Sequence, residues 1–434
     1  MHREAQWRSC YVNNKHAMNK NNSYVLDSAD NLNFLYACRN NLLKFGIHFP
    51  APSGSSYWLG SDGTPCTDRE RETWITARMA HVYSLASMLG MEGAKDLASK
   101  AISGLSNELY DEIYGGWYAA VTPKGTGHGP KQCYAHAFVI LAACSAELAG
   151  IPGAAELRKR AEAVYDQYFW QDELGLSVDS WNREFTILDT YRGLNANMHT
   201  VEAFLADADA TGQIVYRERA GKIIAHVIRW AKNADWRIPE HYNEKWSIDK
   251  DFHKDQPDDK FKPYGVTPGH GIEWARLILQ WALSTFKSSA DYEQYLEASI
   301  NLYHRAMEDG WNVDGKPGIV YTTDWNGCPV IHDRMHWTLA EAINTSAVLF
   351  HVTHQQRYAD DYYDFMKYLD EKVWDHNKGS WFHRLDKDNR VVETGWSGKC
   401  DLYHATQSTL IPLYSPAVSI AAAVQNKMFF TGIG

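Results

Sequence analysis

The sequence predicts an all-α, single-domain protein: an (α/α)6 barrel of six helical hairpins, with short β-hairpins in the loops at its mouth. Three observations predict it. Apolar residues recur with the helical period in segment after segment. Every second connection is long and rich in aromatic and turn residues. A polar residue also returns near the start of alternate helices, at spacings of roughly 58 to 71 residues.

The helical pattern runs through residues 71–90, 94–110, 134–150, 154–170, 195–211, 216–231, 271–286, 291–308, 334–352 and 357–374. Gly90, Gly150 and Gly212 break it at tight turns. Between pairs lie stretches such as "DEIYGGWYAAVTPKG" and "NKGSWFHRLDKDNRVVE", whose alternation and glycines mark hairpins. The returning polar residues are Arg78, His136, His199, His270, His336 and His404. A helical hairpin cannot bury both of its faces alone, and a ring of six leaves no exposed end. Residues 1–26 are expected to form a polar extension, and 27–434 the barrel.

Bulk composition narrows the function. Of 434 residues, 45% are hydrophobic and 22% charged, the balance of a folded soluble chain. The net charge of −10 argues against nucleic acid or an anionic membrane surface as partner. No stretch has the apolar length of a signal peptide core or a membrane span. Seven scattered cysteines without a CxxC pair fit a reducing compartment, so a cytoplasmic location is expected. Several hydrophobic faces leave room for a homodimer.

Two stretches place chemistry on helix faces. In "NANMHTVEAFL", Asn195, His199 and Glu202 follow at spacings of four and three and so share a face. In "VTPGHGIEW", Thr267 as N-cap and Pro268 at the first helical position put His270 in the first turn. Asp401, three residues before His404, is the expected orienting partner of that imidazole.

"NANMHTVEAFL", "TPGHGIEWARLIL" and "GKCDLYHATQ" resemble the N-acylglucosamine 2-epimerase superfamily, most of all its aldose–ketose isomerases, the mannose and sulfoquinovose isomerases. "ETWITARMAHVYSLA", "GGWYAAV" and "RMHWTLAEA" extend the likeness over most of residues 30–415. The resemblance implies an (α/α)6 barrel and interconversion of an aldose and a ketose, or epimerisation at C2, without metal or cofactor. It implies His270 as the base at C2 and His404 as the group assisting ring opening and proton exchange. Around the sugar it sets Arg78, Tyr134, Asn195, His199, Glu273, Trp337 and Glu341. The chemistry suits the residue types, since an imidazole titrates near neutral pH and an enediolate needs a cation such as Arg78 nearby.

The expected substrate is a monosaccharide: D-mannose and D-fructose first, then glucose or lyxose and xylulose. Sulfoquinovose isomerisation and 2-epimerisation are the alternatives. Cys400 and Lys260 stand where a sulfoquinovose enzyme is expected to carry glutamine and arginine, which weakens anion recognition. A glycoside hydrolase would need two facing carboxyl groups, available from Glu202, Glu273, Glu341 and Asp401, but would have no use for three histidines. A non-catalytic sugar binder would need neither His270 nor His404. Three histidines and two glutamates could ligate Zn²⁺ or Mn²⁺, but no HExxH-type pair occurs, so no metal is expected. His136 and His336 are expected in the core, with Trp337 at the sugar and Trp117 open between the two.

Overall fold

The computed structural model describes residues 22–430. Most of the expected extension lies outside that range. Its last residues are described and packed: Tyr24 and Leu26 are buried, and the Tyr24 hydroxyl donates to Asp370 at 2.6 Å.

In chain order the helices are α1 (Ala29–Gly46), α2 (Thr73–Met88), α3 (Ala94–Ser106), α4 (Cys133–Leu148), α5 (Ala154–Tyr168), α6 (Leu194–Thr211) and α7 (Ile214–Asn233). They continue with α8 (Pro268–Thr285), α9 (Ser289–Gly310), α10 (His336–Thr353), α11 (Gln356–Tyr368), α12 (Tyr403–Gln407) and α13 (Ile420–Gln425). The helices α2, α4, α6, α8 and α10 form an inner ring, each against the next, and the short α12 touches α10 and α2 to close it. Behind them stand α3, α5, α7, α9 and α11, while α1 packs on α12 as the sixth outer helix. The two ends of the chain together make the last hairpin.

Composition explains which helix goes where. On α2 every residue from Thr73 to Ala86 is buried, as a helix enclosed on all sides requires. Outer α3 buries only a stripe through Ala94, Ala98, Ala101, Ile102 and Leu105, and its other face is polar. The turns inside the first two hairpins repeat one device. Gly90 and Gly150 take left-handed backbone (φ 82° and 65°), which lets Met91 and Ile151 donate back to the carbonyls of Ala86 and Ala146.

The long loops all follow outer helices and gather at the end where the inner helices begin. Besides hairpins within loops, such as Ala120–Val121 with Gly127–His128, the strand before an inner helix pairs with the next repeat's loop: Arg71 with Val121, Lys131 with Trp181, Arg192 with Tyr242, and Arg334 with Leu385. Buried cations lock these rungs. Lys131 Nζ donates to Asp111 at 3.0 Å and to the Gly115 carbonyl at 2.8 Å; Lys399 repeats this on Asp375 at 2.5 Å and Gly379 at 2.7 Å. Arg71 on Glu108 and Arg334 on Asp314 do the same in their repeats. Each pair anchors a loop to the start of an inner helix, so the mouth is built on fixed positions. At the other end α13 packs on α2, α4 and α6 and plugs the barrel.

Candidate active site

The buried strand cations give a register for the wall. Three residues after Arg71, Lys131, Arg192 and Arg334 come Trp74, Tyr134, Asn195 and Trp337. Seven residues after them come Arg78, Phe138, His199 and Glu341, one helical turn deeper. Counted from Val266, which pairs with Thr323 in the fourth repeat, the same positions are Gly269 and Glu273. Gly269 is small for a reason: a Cβ there would meet the Trp337 ring at 2.7 Å. Its absence lets that indole lie beside His270, with ring centroids 5.0 Å apart and planes at 31°.

One cavity at the mouth is lined by Arg78, Tyr134, Asn195, His199, His270, Glu273, Trp337 and His404, all eight expected from sequence. Glu341, the ninth expected residue, does not line it. It lies behind the wall, fully buried, accepting from Arg276 Nε at 2.7 Å and from His404 Nδ1 at 3.1 Å. His404 is therefore oriented by Glu341, and the expectation of Asp401 is corrected. α12 begins only at Tyr403, so Asp401 precedes the helix and the three-residue same-face rule does not apply to it. Its carboxylate instead holds Arg78 Nη1 at 2.5 Å and caps the Tyr403 N–H at 3.0 Å.

His270 has a matching carboxylate that sequence reading missed. Glu240, in the loop after α7, accepts from its Nδ1 at 2.9 Å. Nothing in a polar loop residue thirty positions upstream signals this. Both imidazoles thus use Nδ1 to reach a carboxylate and leave Nε2 free, and both rings approach Trp337, whose ring is 5.8 Å from that of His404. The loop before α8 contributes Lys260, Phe261 and Pro263 to the cavity wall. Thr267 is the N-cap of α8 but makes no side-chain cap bond.

The third histidine differs. Burial pulls the His199 pKa down to about 4, although Glu202 favours its charged form. Glu202 lies a turn deeper, taking the Tyr403 hydroxyl and Gln407 Nε2 (3.2 Å). Burial alone would raise its pKa, but the bond to His199 and the charge of Arg276 hold it well below the carboxylate range. The polar face of α6 is therefore one wall of a cavity and its buried support.

Arg78 sits on the faces of Phe138 and Tyr403, with its carbon 4.4 and 4.8 Å from the ring centroids, and donates to the Tyr134 hydroxyl at 2.8 Å. Its Nε, Asn195 Oδ1 and both Glu273 oxygens bond to no protein atom. Burial, then the charge of Glu341, raises the Glu273 pKa well above the ordinary range. The five long inner helices all point their N-termini at this cavity, which favours negative charge developing there.

Two histidines depart from one another. His136 is core, as expected, with Nδ1 bonding to Gln132 O and Nε2 accepting the Trp117 N–H at 3.1 Å; Trp117 is buried with it. His336 is not core: it lines the cavity, stacked on His383, because α10 starts at this residue and so carries it at the mouth. Cys400 and Lys260 are also in the wall, the Lys260 ammonium 4.0 Å from the Trp396 ring centroid.

Among the described residues two triads could offer ligand atoms to a metal: His199, Glu202 and Glu273, and Glu273, Glu341 and His404. The fit is poor. Glu273 is common to both and favours its neutral form, and the buried Arg276 guanidinium lies between the carboxylates, 3.8 Å from Glu273 and 2.7 Å from Glu341.

Residues 54–408 match the family model of N-acylglucosamine 2-epimerase. The chain belongs to the N-acylglucosamine 2-epimerase family. All nine expected site residues lie inside the matched span. A D-mannose isomerase of Thermobifida fusca is 41% identical over 396 residues, 90% of this chain and 96% of that protein. A second, from Pseudomonas cannabina pv. alisalensis, is 40% identical over 81% of this chain and 85% of its own. A crystal structure of a D-mannose isomerase superposes with a TM-score of 0.82 at 25% identity, covering 89% of this chain and 98% of that one. Family and fold thus agree with the (α/α)6 barrel. Among the described residues no helix is long and apolar enough to cross a membrane.

Proposed function

We propose that this chain is an aldose–ketose isomerase that interconverts D-mannose and D-fructose by proton transfer between imidazoles, without a metal. One observation carries the reading: two histidines, each held at Nδ1 by its own carboxylate, line one cavity together with the tryptophan that both rings approach. A hydrolase would need a pair of carboxyl groups facing the substrate. Here Glu341 and Glu202 are engaged behind the wall, and of the two carboxyl groups that line the cavity Asp401 is bound by Arg78, which leaves Glu273 without a partner.

In this reading the open-chain aldose lies against Trp337. His270 Nε2 takes the proton from C2, the electrons move into a C1–C2 double bond, and O1 becomes the enediolate oxygen. The same proton, or one exchanged with water, returns to C1 while the O2 hydroxyl loses its hydrogen to become the ketone. His404 moves the proton between O1 and O2 and assists ring opening; the Glu341 carboxylate, itself held by Arg276, orients its ring. Arg78, anchored by Asp401, faces the developing oxyanion. Glu273 as a neutral acid donates to a sugar oxygen, and Asn195, Tyr134 and His199 bind hydroxyls. The test is NMR of enzyme with D-mannose, D-glucose, D-lyxose, D-fructose and sulfoquinovose. Mannose–fructose exchange is expected to be fastest; sulfoquinovose turnover in its place would overturn the substrate assignment.

A further inference from the structure

His336 is placed for more than packing. Its Nδ1 lies 3.3 Å from the His383 carbonyl oxygen, the oxygen that also accepts the His336 backbone N–H at 3.0 Å. The opposite tautomer would set a ring lone pair against that oxygen, so the proton is on Nδ1 and Nε2 carries a bare lone pair. The ring cannot turn away: it is stacked on His383 at 4.2 Å with planes 8° apart, and His383 Nε2 in turn donates to the Asp401 carbonyl at 3.2 Å. His336 is 5% exposed, lines the sugar cavity, and its Nε2 bonds to no protein atom. The nearest carboxylate oxygen, Asp401 Oδ2 at 4.0 Å, is itself an acceptor engaged by Arg78. Two acceptors therefore lie side by side in the cavity wall, and the imidazole needs a hydrogen-bond donor.

We propose that His336 Nε2 is an obligate acceptor for one hydroxyl of the bound sugar, and that it selects against sugars lacking that hydroxyl. The inference rests on the sugar-isomerase reading above. Burial and the neighbouring His383 hold the His336 pKa well below 6.5, which keeps the nitrogen an acceptor across the neutral range. A buried acceptor left unpaired discriminates against a deoxy sugar, whereas a hydrophobic wall would tolerate it.

The test crosses one variant with a set of substrates. D-mannose and its 3-, 4- and 6-deoxy analogues are assayed with wild type and with His336→Phe, which keeps the stack; the His383 carbonyl keeps the backbone N–H. Wild type is expected to lose about ten- to hundredfold in kcat/KM on one analogue. His336→Phe should lose a similar factor on mannose and on the other two, but under about threefold on that one. Equal losses on all four sugars would show a structural role and overturn the proposal; so would an undiminished rate on mannose. A melting curve confirms the variant's fold, and His336→Leu repeats the cycle if the phenylalanine variant is unfolded. If wild type isomerises none of these sugars, the isomerase reading fails. The same cycle read as Kd by calorimetry then decides His336 by the same pattern, and failure to bind any of them overturns both.

Discussion

Glu273→Gln separates ionisation from shape. The carboxyl is 1% exposed, accepts no hydrogen bond from the protein and faces Glu341 and Glu202, with Arg276 as the near cation. Burial and Glu341 push its pKa well above the ordinary 4.5. The folded protein keeps a proton that the unfolded chain releases above pH 4.5. Stability from this group is complete below that pH and is lost as pH rises toward the folded-state value, at about 1.4 kcal/mol per pH unit. Glutamine imitates the neutral acid at every pH and escapes the loss. As pH rises above 5 the variant should therefore gain on wild type by up to about 1.4 kcal/mol per pH unit, roughly 1.5 °C in Tm per unit for a chain of this size. Effects of the substitution that do not depend on pH cancel in that difference. Melting curves at pH 5, 5.5, 6 and 6.5 read it directly, and a Tm difference that stays constant would refute the neutral acid. The same variant should keep kcat and KM within about tenfold of wild type, since the amide N–H can donate to the sugar oxygen as the neutral acid does.

Glu341→Gln should lower kcat by about 10²- to 10⁴-fold, because an amide no longer fixes the His404 tautomer. Removing the partner of buried Arg276 should also destabilise the fold by about 3–5 kcal/mol, measured by denaturant titration. His199→Asn should act mainly on KM, by about tenfold, if its part is to bind hydroxyls; an equal fall in kcat at unchanged KM would make it part of the proton transfer. Exhaustive EDTA treatment should leave activity unchanged, and a loss restored only by Mn²⁺ or Zn²⁺ would make the triads around Glu273 a metal site.

The barrel was legible because its repeat is written twice, in helical periodicity and in the recurring wall residues. α1 escaped notice because it carries no such residue: it is an outer helix whose inner partner, α12, lies at the other end of the chain. Five of the eight cavity residues, Arg78, Tyr134, Asn195, His199 and Trp337, recur three or seven residues after a strand cation, and such local spacing survives into sequence. Support for them does not. Glu240 reaches His270 from a loop, Glu341 reaches His404 from the neighbouring helix, and His336 meets His383 only through the stacking of two repeats. Spacing within one helix shows which side chains share a face, but which carboxylate holds which imidazole depends on how helices meet. The misassigned Asp401 is the clearest case, being close in sequence and outside the helix.

The central claim, that His270 is the base at C2, is tested most directly by isotope exchange. D-[2-²H]mannose is followed by NMR in water with wild type and His270→Asn, with binding measured in parallel by calorimetry. Wild type should form fructose with a primary isotope effect and release deuterium to solvent or carry it to C1. His270→Asn should bind the sugar yet do neither. Deuterium loss from C2 at the wild-type rate in that variant would contradict the account and move the base elsewhere, to His404 first.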